Sequence, residues 1–280
     1  MTEAPQPKPV LTIRPRKGWM PSNPRELWEF RELLRRFAAR DITLRYRQTA
    51  LGVTWVVLQP LLAAGILSFV FGGVAKLPAP AGIPYFVFAL AGMTAWNAFS
   101  NTVTRAGGVM VGNAQMVQKV FFPRLLLPLS TVLSTLLDVG VSLVLAGVLM
   151  AITGVAPGPA LVLLPVWLLF VLALSLGIGL AAGATMVRYR DVQYVLPVAV
   201  QFLLYASPVA YSLAAVPQSA KLVFELNPLT GLLEGFRWSL LDTTRPSTGL
   251  IAYAAVSSLV LLVLGLGLFS RMERQFADVI

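Results

Sequence analysis

Arg45 and Arg47 stand at the edge of an apolar run in the stretch DITLRYRQTALGVTWVVLQP, residues 41–60. A guanidinium presents a planar fork of donors that grips phosphate oxygens in pairs, where a lysine ammonium offers only a point charge. The competing role for basic residues beside a lipid-crossing segment is topological anchoring, which needs charge alone. Other chemistry is scarce, because the 280 residues contain no cysteine and no histidine. That removes disulfide frameworks, thiolate metal sites and cysteine nucleophiles. It also removes the commonest general base, the usual zinc and haem ligands and every Ser-His-Asp arrangement. An enzyme would be left with carboxylates, lysines and tyrosines, so catalysis is not expected. No G-x-x-x-x-G-K-[ST] loop occurs, so the chain itself is not expected to hold a nucleotide in the P-loop manner. Nor is there a cluster of intramembrane carboxylates for a proton relay. Energy must come from elsewhere.

The elements that would position these arginines are set by hydropathy. The chain is 57% hydrophobic and only 12% charged, with a mean hydropathy of +0.76, far from an ordinary soluble domain. The expectation is an all-α integral membrane protein. Runs of about 20 apolar residues, the length that crosses the hydrocarbon, predict six transmembrane helices near 52–74, 85–104, 125–152, 160–186, 192–211 and 249–269. The short proline-marked connections between them leave no room for a second domain, so residues 23–280 read as one membrane domain behind a flexible tail, 1–22. That tail has no apolar h-region, so no signal peptide is expected. With a cytoplasmic N-terminus, eighteen of the twenty-two Lys and Arg residues fall inside, and Lys76, Lys221, Arg237 and Arg245 fall outside. This satisfies the positive-inside rule with both termini cytoplasmic. The net charge of +10 therefore needs no nucleic acid, and the dispersed basic residues form no reading element for one.

Ahead of the first span, Asn23 as N-cap, Pro24 at the first helical position and Glu26 predict a helix start. Leu27, Phe30, Leu33, Leu34, Phe37 and Ala38 recur at helical spacing, which predicts an amphipathic interface helix over 24–47 on the cytoplasmic membrane surface, with Trp28 as an anchor. Its alternatives are attachment to anionic lipid and contact with a cytoplasmic partner. The connection RAGGVMVGNAQMVQKVFFPRLLLPLS, 105–130, is longer than a turn requires and mixes apolar with polar residues, which favours a docking loop. The longest outward connection, 212–247, holds FELNPLTGLLEGFRWSLLD. Asn227 and Pro228 predict a helix start there, and the segment is too short to span. It reads as a re-entrant or surface helix, either an interface helix or an external gate containing Leu233 and Phe236. Asp138, in the middle of the third span, must turn to a neighbouring helix or an aqueous path. Ser175, Gly179 and Gly183, at four-residue spacing, predict close helix packing. Tyr85, Phe86, Phe88, Trp96 and Phe99, with Phe202, Tyr205 and Tyr211, offer either lipid-facing anchors or a sugar-compatible surface.

The stretches RDITLRYRQTALGVTWVVLQPLL, GMTAWNAFSNTVTRAGGVMVGNAQMVQKVFFPR, RYRDVQYVLP, SPVAYSL, NPLTGLLEGFRWSLL and FADVI together resemble the type-2 ABC permeases that export lipid-linked polysaccharides such as O-antigen and teichoic acid. The resemblance runs from about residue 26 to 280. It implies a six-span half-transporter that pairs as a homodimer and binds two copies of a soluble ATPase, which would hold ATP and Mg; no cofactor is expected in this chain. It further implies that Arg105, Asn113, Gln115, Met116, Lys119 and Arg124 couple to the ATPase. Arg45 and Arg47 become candidates for gripping a lipid diphosphate head group. Tyr85, Trp96, Phe99, Asp138, Tyr205, Tyr211, Leu233 and Phe236 become candidates for the channel or its external gate. The implied function is export of a lipid-diphosphate-linked polysaccharide, of O-antigen, teichoic-acid or galactan type, across the bacterial cytoplasmic membrane. The alternatives are a related permease for a drug or small lipid and, from another class, a membrane glycosyltransferase.

Overall fold

The computed structural model describes residues 24–46, 54–273 and 276. Two short segments, α1 (Pro24–Glu29) and α2 (Arg31–Tyr46), lead into α3 (Thr54–Leu67), which widens into a π-helical end at Ser68–Val74. The long α4 (Tyr85–Gly112) is followed by the single-turn α5 (Ala114–Lys119) and by α6 (Leu126–Thr153). A 3-10 turn, Pro159–Leu163, feeds α7 (Leu164–Arg188), and α8 (Val192–Tyr205) follows. The chain then builds α9 (Gln218–Glu225), α10 (Pro228–Leu241) and α11 (Thr248–Met272). Among the described residues no strand occurs. Among the described residues, four helical stretches are long and apolar enough to cross a membrane: Thr54–Val74, Leu126–Thr153, Pro159–Arg188 and Thr248–Met272.

Two of the six expected spans differ for separate physical reasons. Helix α4 has 28 residues, ample length, but carries Thr94, Asn97, Asn101, Thr102 and Arg105 among its apolar residues. It is shielded by α3, α6, α7 and α10, and a helix sheltered by protein needs no lipid-compatible surface of its own. Helix α8 has 14 residues, roughly 21 Å of rise, and stops at Tyr205 instead of reaching 211. Pro208 has no N–H to continue the ladder and disfavours helical geometry at Ser207 before it. The remaining boundaries fall close to expectation. Gly154, at φ 73°, closes α6 with the Val155 N–H on the Met150 carbonyl at 3.0 Å.

The apolar stripe of α1–α2 faces protein. Leu27, Phe30, Leu33 and Leu34 pack, half-buried, with the buried Phe37 against a core of Val117, Phe122, Leu126, Phe269 and Phe276. The break between the segments is slight, since Phe30 N–H still donates to Glu26 O and Leu34 N–H to Phe30 O, each at 3.1 Å. Trp28 and Leu44 stay exposed as large apolar groups on this helix. The expected membrane-lying helix is therefore docked on the bundle through the stripe that would have faced lipid. Asn23 lies outside the described residues.

A second, larger core occupies the other end of the bundle, where α4, α6, α7 and α10 bring together Phe88, Phe99, Val171, Leu232 and Phe236. Helix α7 runs through both cores. On one face Gly179 and Gly183 meet α4: a Cβ on Gly179 would lie 2.8 Å from the Ala106 Cβ, and one on Gly183 3.0 Å from the Ala106 carbonyl oxygen. On another face Gly177 abuts the Leu261 carbonyl of α11, and Gly265 of α11 abuts Gly177. Such backbone proximity is how small residues hold helices together where lipid offers no hydrophobic drive. Ser175, the third member of the predicted set, is buried and donates to its own helix at the Leu172 carbonyl, 3.1 Å. Replacing Gly265 with Val should therefore separate α7 from α11 and lower the thermal unfolding temperature by several degrees. Gly147→Ala, whose added methyl meets open space, should leave it unchanged or slightly raised. Differential scanning fluorimetry of both variants in the same detergent checks this.

Candidate functional site

Three constellations stand out along the bundle. At the α2/α5 end, Arg40 of α2 donates from Nη2 to Asn113 Oδ1 at 2.9 Å and from Nη1 to Met116 Sδ at 3.9 Å. Its guanidinium also pairs with Asp41 at 3.1 Å, and Asp41 accepts from Ser130 Oγ of α6 at 3.4 Å. Asn113 Nδ2 returns to the Val109 carbonyl at 2.9 Å. The junction between α4 and α5 is thus pinned to the surface helix. Helix α5 buries Val117 and leaves Gln115, Gln118 and Lys119 exposed, with Val120 and Phe121 continuing that exposed face. Arg124, also a coupling candidate, turns away from it: it donates to the Glu273 carbonyl and lies 5.9 Å from the Phe276 ring.

Arg105, grouped with the docking loop by sequence, is placed on α4. Helix α4 continues to Gly112, so Arg105 lies within the bundle, where Nη2 meets Asp138 Oδ2 at 2.8 Å and Nη1 meets Thr135 Oγ1 at 3.3 Å. Both side chains are mostly buried, at 26% and 18% exposure, and they line one cleft between α3, α4 and α6. Asp138 has thus found the neighbouring helix that its position required.

At the opposite end, non-helical backbone after α8 is held by side chains. Arg237 of α10 is fully buried and donates to the Tyr211 carbonyl at 2.9 Å and to the Pro208 carbonyl. Its guanidinium carbon lies 4.5 Å from the Phe88 ring centroid, and Glu234 is 3.7 Å away. Tyr85 donates to the Ala210 carbonyl at 2.5 Å, Asn227 Nδ2 to Ser207 Oγ at 2.8 Å, and Glu234 accepts from Leu213 N–H at 3.0 Å. Each carbonyl so held would otherwise be an unpaired acceptor. The predicted start of α10 is met, with Asn227 Oδ1 accepting from Leu229 N–H at 3.0 Å and Pro228 in the first turn.

The structure separates the remaining channel and gate candidates. Trp96, Phe99, Leu233 and Phe236 are buried in the core of the single chain, and the apolar face of α10 packs inward against α4, α7 and α11. Tyr85 and Tyr211 belong to the Arg237 clamp, with Tyr211 against Phe71 and Phe224. Tyr205 remains exposed. Arg45 is the penultimate residue of α2, but its side chain, and Arg47 entirely, lie outside the described residues. Sequence reading missed Arg40 and the clamp role of Arg237, although Glu234 and Arg237 at i, i+3 within an apolar helix are a visible signal.

Two outcomes follow from these geometries. Arg237→Leu should leave the Pro208 and Tyr211 carbonyls unpaired, at about 1–3 kcal/mol each, and loosen the segment. Because the chain has no cysteine, Ala210→Cys is a clean reporter: it should resist maleimide in the native background and label in the Arg237→Leu background. For the cleft, Arg105→Gln alone should destabilise by about 2 kcal/mol, the lower side of a broken buried pair because the site is partly solvated. The double variant with Asp138→Asn should recover part of that loss in a chemical-denaturation cycle.

Comparison with known proteins supplies the family. The sequence model described as "ABC-2 type transporter" matches residues 32–241. The O-antigen export system permease protein RfbA of Myxococcus xanthus is 30% identical over 256 residues, covering 91% of this chain and 97% of that protein. RfbA of Klebsiella pneumoniae is 25% identical over 242 residues, covering 86% and 92%. The polysialic acid transport protein KpsM of Escherichia coli is 29% identical over 245 residues, covering 84% and 91%. With three quarters of its length matched by one family and near end-to-end similarity to its members, the chain belongs to the ABC-2 type transporter permeases.

Proposed function

We propose that this chain is the membrane subunit of an ATP-driven exporter that carries a lipid-diphosphate-linked polysaccharide across the bacterial cytoplasmic membrane. The observation that supports this most is the span of the match to export permeases, 97% of the Myxococcus xanthus protein. In this reading the four apolar spans are joined by α4 and by α8 with its clamped continuation, making six crossings with both termini cytoplasmic. Two copies pair to enclose the polymer path, and each binds one soluble ATPase subunit that holds ATP and Mg.

The chain's own residues divide the work. The exposed face of α5, Gln115, Gln118, Lys119, Val120 and Phe121, receives the ATPase. Arg40 transmits its movement to α2 through Asn113 and Met116. Arg45 and Arg47, where the surface helix approaches the first span, grip the lipid diphosphate. The α9–α10 hairpin, tied to the end of α8 by Arg237 and Asn227, forms the external gate and moves as a unit, with Leu233 and Phe236 as its packed interior.

Purification of the chain with the ATPase encoded beside it, followed by mass spectrometry of the bound lipid, should yield a lipid-linked glycan. A small amphipathic lipid alone would overturn the polysaccharide reading in favour of the small-substrate permease. In the same complex, Gln115→Cys should cross-link to the ATPase while Val117→Cys, buried at 4% exposure, should not. An intact complex without the Gln115 cross-link would move docking away from α5.

A further inference from the structure

The cleft that holds Arg105 and Asp138 has a composition that ion pairing alone does not explain. Three helices each contribute polar groups at helical spacing: Trp55 and Gln59 from α3; Thr94, Asn97, Asn101 and Arg105 from α4; Thr135, Asp138 and Ser142 from α6. Asn97, Asn101 and Arg105 repeat every four residues, so they stack along one side of α4. The stripe lies opposite the aromatic core residues of the same helix. The volume is ≈ 120 Å³, where one water needs only about 10–15 Å³ on that measure.

The hydroxyls of Thr94, Thr135 and Ser142 are engaged with their own helix carbonyls at 2.8, 2.9 and 3.0 Å. The side-chain amides of Gln59, Asn97 and Asn101 are different: among the described residues none of them has a hydrogen-bond partner. Amides beside a membrane-crossing helix are costly unless something pairs with them. Each carries both donors and an acceptor, the complement of a hydroxyl that also does both. The rim adds Trp55, 47% exposed, whose ring face is apolar and rigid. An anion is the poorer occupant, because the Asp138 carboxylate, 2.8 Å from Arg105, would repel it.

We propose that this cleft binds one neutral sugar ring of the transported glycolipid, held by Gln59, Asn97 and Asn101 and stacked on Trp55. The inference rests on the glycan-export reading and adds to it a place and a set of recognising residues. The cleft is lined by the start of α3, Trp55 to Pro60, which follows Arg45 and Arg47 closely in sequence, so the ring is the one nearest the lipid diphosphate. The Arg105–Asp138 pair is a positioning brace that holds α4 and α6 at the separation the ring requires.

The test uses the full chain in lipid nanodiscs with three probes of equal tail length: dodecyl N-acetylglucosaminide, dodecyl phosphate and dodecanol. Tryptophan fluorescence should change saturably with the glycoside and not with dodecanol, and Trp55→Phe should abolish the change. Asn101→Leu, and the more exposed Gln59→Leu, should each weaken apparent affinity at least tenfold, with thermal unfolding monitored alongside. No saturable glycoside response, or a response equal to that of dodecanol, overturns the proposal. Saturation by dodecyl phosphate in preference to the glycoside makes it an anion site and overturns it as well. Native-like binding in both Leu variants reduces the cleft to a structural brace. Because no ATPase is present, glycoside binding can persist if the copurified lipid carries no glycan, and can fail if it does, so the two readings are separable.

Discussion

Helix α7 touches two neighbours through glycine, and the rest of the bundle is arranged around that fact. Gly179 and Gly183 admit the backbone of α4 near Ala106, and Gly177 admits that of α11 near Leu261. In hydrocarbon no hydrophobic gain separates protein from lipid, so association depends on many close van der Waals contacts. Fixing α4 against α7 places the α4 aromatic residues in one core and leaves the Asn97–Asn101–Arg105 side for α3 and α6. The same spine passes through both cores, which gives the two ends of the molecule a common rigid reference.

Many polar groups inside this frame obey a second constraint, being paired or facing a cleft, although Trp167 Nε1, Arg237 Nε, Ser239 Oγ and Thr243 Oγ1 are buried without a hydrogen-bond partner. The segment after α8 shows how irregular backbone is tolerated at depth, since Tyr85 and Arg237 satisfy its carbonyls from two different helices. Arg237 does so while touching Phe88, so removal of its charge would lose backbone partners and ring contact together. Arg105 and Asp138 answer the same constraint with each other. The first arrangement closes a gap in the fold; the second keeps one open.

Sequence pattern revealed the helical class, the approximate bounds of four spans and the start of α10, because these depend on length, hydropathy and local capping. It did not show which way several side chains turn. Helix α4 is apolar around much of its surface, so nothing in the pattern says that Trp96 and Phe99 turn inward. The amphipathic face of α10 was visible, but whether Leu233 and Phe236 face a pore or a core is decided by α4, α7 and α11, not by α10. Similarly, the stripe on α2 announced a partner surface without saying whether lipid or protein would cover it. Asp138 was recognisable as a charge needing a partner; identifying Arg105 required knowing that α4 extends past residue 104.

In the proposed six-crossing arrangement, the ion pair between α4 and α6 also has an electrical consequence. A lone charge crossing the full potential would exchange about 2.3 kcal/mol with each 100 mV. Arg105 and Asp138, closed at 2.8 Å, carry no net charge, so α4 and α6 can shift together without the voltage doing appreciable work on the pair. Drawing the two apart along the membrane normal would create a gating dipole. As long as the pair stays closed, its contribution to helix movement is the same in an energised cell and in an uncharged vesicle.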